Sequence, residues 1–334
     1  MKKNNAEGNR RLRFALPKGS LNTTGRWSTE SLLKEAGFDI KGYSPESRSY
    51  SLIIANDEEL EAIVDRPQNM PADLRDSIID LAIMGKDIAE EWNLADARMV
   101  RLCSLGYGYA DLVLAGPSCI TRDGFYADLK REKEIRLATE YPLITQDWLE
   151  NNESYILSFG NKKPLLIAKY GITGANEKIR ITESYGATES AIAKGSADFI
   201  VECISSGETL AKNELKPIEI LLQSSAGLYT TEDALSDPWK ADKIGFVRTL
   251  LQGAVKARDT DYIIFNVRKS REEKIKDYLQ KERLFSKEPT VIRDGEYLQV
   301  GIEIARSRWT QVAYGLRSNG AEDIVRMNPV QIID

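Results

Sequence analysis

An α/β architecture with a smaller βαββαβ unit towards its C-terminal end is what this sequence predicts, and three observations carry the prediction. Short apolar runs at residues 12–16, 52–55, 60–64 and 80–85 are interleaved with helical patterning, the rhythm of strand–helix–strand units. A second series of such runs opens at 110–116 and 135–139. Beyond residue 260 the order becomes strand, helix, two strands, helix, strand. At 334 residues the chain is long for one core and suits two or three domains.

Taken in order, Leu12, Phe14 and Leu16 alternate with Arg13 and Ala15 in a first strand that ends at Pro17. Lys18-Gly19-Ser20 makes a turn. Trp27, Leu32, Leu33 and Ala36 have helical spacing, and Gly37 is a natural stop. LIIA (52–55), LEAIV (60–64) and DLAIMG (80–85) read as strands, with Pro71 starting the helix between the last two. Arg66, Lys86 and Asp87 each follow a strand, and Arg48 lies in the polar loop before residue 51. Ligands of such sheets gather at the carboxyl ends of the strands. Singly these are ordinary loop charges; together they form a candidate triphosphate or pyrophosphate clamp, Arg by bidentate pairing and Lys as a point charge.

ADLVLAG (110–116) and IRLAT (135–139) are strands flanking a charged helix at 123–133. Two further apolar runs, YILSF and LLIAKYGI, lie in the segment around 152–178 and suggest an extra hairpin at a sheet edge. Phe199, Ile200 and Val201 form a short buried strand. The polar Ser205–Thr209 stretch then leads into a helix at Leu210 and Ala211. A strand, tight loop and helix start aim several backbone N–H groups at one point, where Ser205, Ser206 and Thr209 add hydroxyl donors. This is a phosphate cradle, or else an ordinary strand-to-helix turn with a serine cap. Glu202, an acceptor-only group at the strand end, could take two sugar hydroxyls, so the stretch has the parts to hold a ribose 5-phosphate. IEILLQSSAGLYT (218–230) reads as one strand returning to the first domain. A helix follows from Pro238, and YIIFNV (262–267), PTVI (289–292), EYLQVGIEI (296–304) and DIVRM (323–327) alternate with helices at 270–281 and 308–319. That order is ferredoxin-like, an arrangement that often binds a small regulator or builds an oligomer.

Several segments together resemble a known family. An acidic residue followed by a Ser-Gly-x-Thr-Leu turn is similar to the phosphoribosyl-pyrophosphate (PRPP) loop of phosphoribosyltransferases. RLRFALPKGSL (11–21), DRPQNMP (65–71), DLAIMGKD (80–87), LGYGYADLVLAGP (105–117), IRLATEYP (135–142), YGATESAIAKGSADFIVE (185–202) and ILLQSSAGLY (220–229) resemble, in order, the ATP phosphoribosyltransferases that open histidine biosynthesis. The resemblance implies a two-lobed, periplasmic-binding-protein-like (type II) catalytic region: lobe I at 1–105 and 218–238, lobe II at 106–217. A regulatory ACT-like domain would occupy 239–334. It implies that ATP condenses with PRPP, that Mg²⁺ assists, and that L-histidine inhibits a dimer or hexamer. Arg48, Arg66 and Lys86 would be catalytic; Glu202, Ser205, Ser206, Gly207, Glu208 and Thr209 would bind PRPP; Lys18, Gly19, Asp87 and Glu189 would bind ATP. Metal ligands stay unassigned, and Ser20 stands where many members carry arginine.

Composition narrows the chemistry independently. The chain has no histidine, which removes histidine bases, histidine-ligated metals and the usual pH switch. Its 46 basic and 51 acidic residues give a net charge of −5, against a nucleic-acid footprint over the whole surface. Cys103, Cys119 and Cys203 are isolated, as expected of reduced thiols without a zinc site. The basic N-terminus leads into too short an apolar run for a signal peptide, and no run is long enough to span a membrane, so a cytoplasmic protein is expected. The open alternatives are a two-lobed anion-binding protein without chemistry, a dehydratase of similar layout, and a silent relative of the transferases.

Overall fold

The computed structural model describes residues 10–23, 27–46, 49–169, 171–186, 188–284 and 289–333. The chain divides into two compact units, Met1–Glu30 with Ile40–Ile244, and Ser31–Asp39 with Gly245–Asp334.

The larger unit contains two sheets. The first runs in the order Ser51–Ile53, Leu60–Asp65, Leu12–Pro17, Leu81–Gly85, Ala226–Thr231, Met99–Ser104. Its central strand, Leu12–Pro17, is parallel to both neighbours, with Phe14 opposite Ala62 and Leu81. Its apolar residues are buried on both faces, as a central strand covered by helices requires. The second sheet runs Leu215–Ser224, Ala110–Pro117, Phe199–Ile204, Ile135–Thr139, Asn176–Glu183, Pro164–Ala168, Gly171–Thr173. Ile135–Thr139 is parallel to both of its neighbours, whereas Ala110–Pro117 is antiparallel to both of its own. Helices Arg122–Lys130 and Pro142–Glu150 close a core around Phe125, whose ring stacks on Trp148 and meets Phe199 edge-on.

Two expectations need correction. The run at 218–230 is two strands in different sheets: Leu215–Ser224 edges the second, and Ala226–Thr231 enters the first. The polar Ser224–Ser225 pair marks the switch, where the Ser225 carbonyl accepts from the Lys86 N–H at 3.1 Å. YILSF is not part of a hairpin but lies in the helix Glu153–Phe159. The Asn152 side chain caps this helix by accepting from the backbone N–H groups of Ser154 and Tyr155. The hairpin is formed within the second run alone, Pro164–Ala168 against Gly171–Thr173, at the sheet edge.

In the smaller unit Thr260–Arg268, Thr290–Asp294, Tyr297–Ala305 and Ala321–Met327 form an antiparallel sheet in the order second, third, first, fourth. Helices Glu272–Lys281 and Trp309–Ser318 bury Ile275, Leu279, Val312 and Leu316 against its inner face. Asp261, fully buried, is held by Arg306 and Arg326 at 3.1 and 2.7 Å, so its charge is paired where desolvation is costly.

Candidate functional site

The candidate phosphate loop has the strand, turn and helix start that the sequence predicts. Strand Phe199–Ile204 buries Phe199, Ile200 and Val201, and its half-buried end presents Glu202. Ser205 and Ser206 bend the chain. Gly207 then takes φ +73°, a left-handed conformation that side chains disfavour, and caps the helix Glu208–Lys212. That helix is only five residues long, so its dipole is weak, and the cradle rests on the loop's N–H groups and hydroxyls. A cavity of about 150 Å³ is lined by Glu189, Glu202, Ser205, Ser206, Gly207, Glu208 and Thr209. Burial pushes Glu202 up to about 6; the Thr188 hydroxyl, near but not in bonding geometry, opposes this, and the charges of Glu140 and Glu189 add to it. Glu202 Oε2 is buried without a hydrogen-bond partner, an unmet acceptor beside the small cavity.

Beside it lies a larger cavity of about 840 Å³, which shares Cys203 and Ser205 with the first. Its walls come from the carboxyl ends of strands: Lys18 and Gly19 after Leu12–Pro17, Arg66 to Asn69 after Leu60–Asp65, and Asp87 after Leu81–Gly85. From the second sheet come Glu140 and Tyr141, Tyr185 and Gly186, and Cys203 and Ser205. Lys18 holds its ammonium 4.1 Å from the centre of the Tyr50 ring. Arg66 is exposed and forms no ion pair among the described residues, so its guanidinium is available to an anion. Ser20 lines this cavity as well.

Asp87 is 6% exposed and ties the two sheets together. Its Oδ2 accepts from the Tyr141 hydroxyl at 2.6 Å, its Oδ1 accepts from the Ser224 hydroxyl, and its backbone N–H donates to Ser224 Oγ at 3.1 Å. Burial, then the neighbouring Asp87 charge, raises the Tyr141 pKa and keeps that hydroxyl a donor. Burial likewise pushes the Cys203 thiol up, with Asp87 and Glu202 adding to it, so Cys203 packs and is no thiolate nucleophile.

One assignment sits differently from expectation, and another falls outside the described residues. Lys86 does not line this cavity. It opens instead into another of about 490 Å³ with Glu90, Asp147 and Trp148. Lys86 and Asp87 are the first two residues of the helix Lys86–Leu94, and adjacent helix positions point about 100° apart. Gly186 donates its N–H to Glu140 Oε1 at 2.6 Å, and Glu189 precedes a single turn, Ser190–Ala193. Arg48 lies outside the described residues. Sequence reasoning missed Tyr141, Ser224, Glu140 and Gln68; their signal was position, since Glu140–Tyr141 and Gln68 each follow a parallel strand.

A further pocket of about 330 Å³ adjoins the large cavity and shares Gln68, Ile88, Glu140, Tyr141 and Tyr185 with it. Glu91 in its wall accepts from the N–H groups of Leu143 and Ile144 at 2.8 and 2.9 Å. Burial nevertheless pushes Glu91 up to about 7.

The family model described as ATP phosphoribosyltransferase matches residues 66–253. The ATP phosphoribosyltransferase of Chlorobium chlorochromatii is 30% identical over 329 residues, covering 98% of this chain and 99% of its own. That of Pelotomaculum thermopropionicum is 28% identical over 331 residues, with 97% and 99% covered. Among solved structures, the ATP phosphoribosyl transferase (HisG:HisZ) complex from Thermotoga maritima superposes with a TM-score of 0.53 at 20% identity, over 74% of this chain and 98% of that one, a likeness of fold. The chain belongs to the ATP phosphoribosyltransferase family.

Proposed function

We propose that the chain carries out its family's reaction, the condensation of ATP with PRPP that opens histidine biosynthesis, in the two adjoining cavities of the larger unit. The observation that carries this placement is the pairing of a phosphate loop and unmet Glu202 acceptor with a strand-end wall bearing Lys18 and Arg66. Glu202 takes the PRPP ribose hydroxyls, and Ser205–Thr209 hold its 5-phosphate. Lys18, Gly19 and Arg66 face the triphosphate and pyrophosphate; Glu189 stands beside the sugar. Adenine N1 forms the new bond to C1 of the ribose as the bond from C1 to pyrophosphate breaks. N1 is unprotonated near neutral pH, so no general base is needed, and catalysis is positioning plus charge stabilisation.

Mg²⁺ would neutralise the departing pyrophosphate. Among the described residues no group of three His, Cys, Asp or Glu side chains could cage a metal, and both Asp87 oxygens are engaged, which fits an ion carried by the substrate's phosphate oxygens. The two sheets correspond to two lobes, the boundary falling at Ser224–Ser225. The βαββαβ unit, in ferredoxin-like and ACT-like order, would bind L-histidine as inhibitor and assemble a dimer or hexamer. No described helix is long and apolar enough to cross a membrane, in keeping with a cytoplasmic enzyme.

Gly207→Val tests the loop assignment. Valine is strained at φ +73°, so the loop must rearrange. The KM for PRPP is expected to rise about a hundredfold or more, as loss of two or more hydrogen bonds to a charged phosphate implies, with ATP binding retained. An unchanged KM for PRPP would remove this loop from the site.

A further inference from the structure

We infer that Glu91 is a positioning residue for this reaction: from a helix that follows a strand of the first sheet it caps a helix of the second, and with Asp87 it clasps the segment that brings Glu140 and Tyr141 into the cavity wall. This rests on the reaction proposed above.

Helix Pro142–Glu150 starts without a cap of its own. Tyr141, the residue ahead of it, makes no side-chain cap hydrogen bond, and the first turn holds no acidic residue. The first four N–H positions of a helix have no partner within it, so each must find one elsewhere. Here the Tyr141 N–H donates to Thr139 Oγ1 at 2.9 Å, and Pro142 has no N–H to satisfy. The Thr145 N–H already reaches the Tyr141 carbonyl at 3.0 Å. Leu143 and Ile144 remain, and both donate to Glu91, at 2.8 Å to Oε1 and 2.9 Å to Oε2. One carboxylate completes the cap from 52 and 53 positions away, on a helix packed from the other sheet.

Glu91 stands four residues after Asp87 in the helix Lys86–Leu94, so the two share a face one turn apart. Asp87 Oδ2 accepts the Tyr141 hydroxyl at 2.6 Å, and Glu91 takes the amides two and three positions further on. A single hydroxyl contact would leave this segment free to turn about it. The two added amide contacts fix its direction, and with it Glu140 and Tyr141, which line the large cavity.

The cap depends on charge. No Lys or Arg lines the pocket that Glu91 faces. Its titratable neighbours there are Glu183 on Asn176–Glu183, Glu140 and Tyr141 ahead of the capped helix, and Tyr185; Asp87 and Glu90 lie on its own helix, and Lys86 opens into a different cavity. Burial outweighs the two N–H groups and, with the Glu183 charge, pushes Glu91 up to about 7. Only the carboxylate accepts on both oxygens; once protonated, one oxygen turns a hydrogen towards an N–H. The clasp is therefore complete above pH 7 and weakened below it. Stability runs the other way. The folded pKa lies above the unfolded one, so the ionised form costs stability above pH 7, a cost that fades as the pH falls from 7 towards 4.5.

Glu91→Gln keeps one acceptor and sets a donor against the other amide. At pH 8 its kcat should fall about tenfold or more, through misplacement of the cavity wall, with the KM for PRPP within about twofold of wild type. Its Tm at pH 8 should not fall, because the buried charge is gone. Wild-type kcat at saturating substrates should decline as the pH is lowered through 7, and Glu91→Gln should lack that limb. Glu90→Gln, which removes the adjacent charge but no cap bond, should keep both wild-type kcat and the limb. Hydrogen exchange at the Leu143 and Ile144 amides reads the clasp without turnover, and at pH 8 at least one of them should exchange about tenfold faster in Glu91→Gln. Wild-type kcat in Glu91→Gln, a Tm that falls in step with activity, an equal loss in Glu90→Gln, or unaltered exchange would each overturn the positioning role. A wild-type protein that formed no product would sink the proposed reaction, and the exchange rates would still decide the clasp.

Discussion

Replacing Glu202 by glutamine is expected to lower kcat/KM for PRPP about a hundredfold or more while making the protein more stable at pH 7.5. The first effect follows from the loss of two charge-assisted hydrogen bonds to the ribose hydroxyls, each contributing about 1.5–3 kcal/mol. The second follows from the direction of the pKa shift. Burial raises Glu202 from 4.5 to about 6, so the folded protein holds the proton more tightly than the unfolded chain. Above pH 6 the buried charge costs up to about 2 kcal/mol, a cost that disappears as the pH falls through 6 towards 4.5. Glutamine removes it at every pH. Activity runs the other way, because the carboxylate form is the better acceptor, and wild-type kcat/KM should fall as the pH is lowered through 6. Thermal melts and kinetics between pH 5 and 8 check both arms. A Glu202→Gln protein with wild-type kinetics, or with stability lowered at pH 7.5, would contradict the reading.

Asp87→Ala is expected to destabilise the larger unit by about 3 kcal/mol or more. Its carboxylate satisfies the hydroxyls of Tyr141 and Ser224 at a position 6% exposed, and each stranded hydroxyl costs about 1–3 kcal/mol. Tyr141→Phe removes one donor and should cost about 1.5–3 kcal/mol. In the double variant the losses should fall short of the sum, since neither change can break a bond the other has already removed. Turnover should drop at least tenfold in Asp87→Ala, because the same contact sets the spacing of the cavity's two walls. Urea unfolding of the three variants decides the matter. Strict additivity, or a loss below about 1 kcal/mol for Asp87→Ala, would show that the contact does not join the sheets as described.

The contrast between these two residues explains what was legible in the sequence. Glu202 and the candidate phosphate loop occupy one contiguous stretch, so local chemistry sufficed to propose them. Asp87 was legible as a residue after a strand, but its partners are 54 and 137 positions away, and only the chain's topology brings them together. Leu12–Pro17 and Leu81–Gly85 were readable because central strands are apolar on both faces. The edge strand Met99–Ser104 escaped notice, since its half-exposed MVRLCS pattern carries an arginine and little burial. Residues 218–230 looked like one strand because apolar patterning does not mark a change of sheet; only the polar Ser224–Ser225 pair did. Lys86 was misplaced by sequence adjacency, which on a helix separates side chains. The C-terminal βαββαβ order emerged from sequence alone because its strands are short apolar runs between helical patterns, with clean alternation in Thr260–Arg268, where every second side chain from Asp261 to Val267 is buried.

The central claim, that this chain joins adenine N1 of ATP to C1 of PRPP, is tested most directly by mixing the purified protein with ATP, PRPP and Mg²⁺. Adduct absorbance and released pyrophosphate are followed together, with and without L-histidine. Adduct and pyrophosphate appearing in equal amounts, and only when both substrates are present, is the predicted result; suppression by L-histidine would add support for the regulatory role of the C-terminal unit. Pyrophosphate released without ATP, or no adduct although both substrates bind, would contradict it.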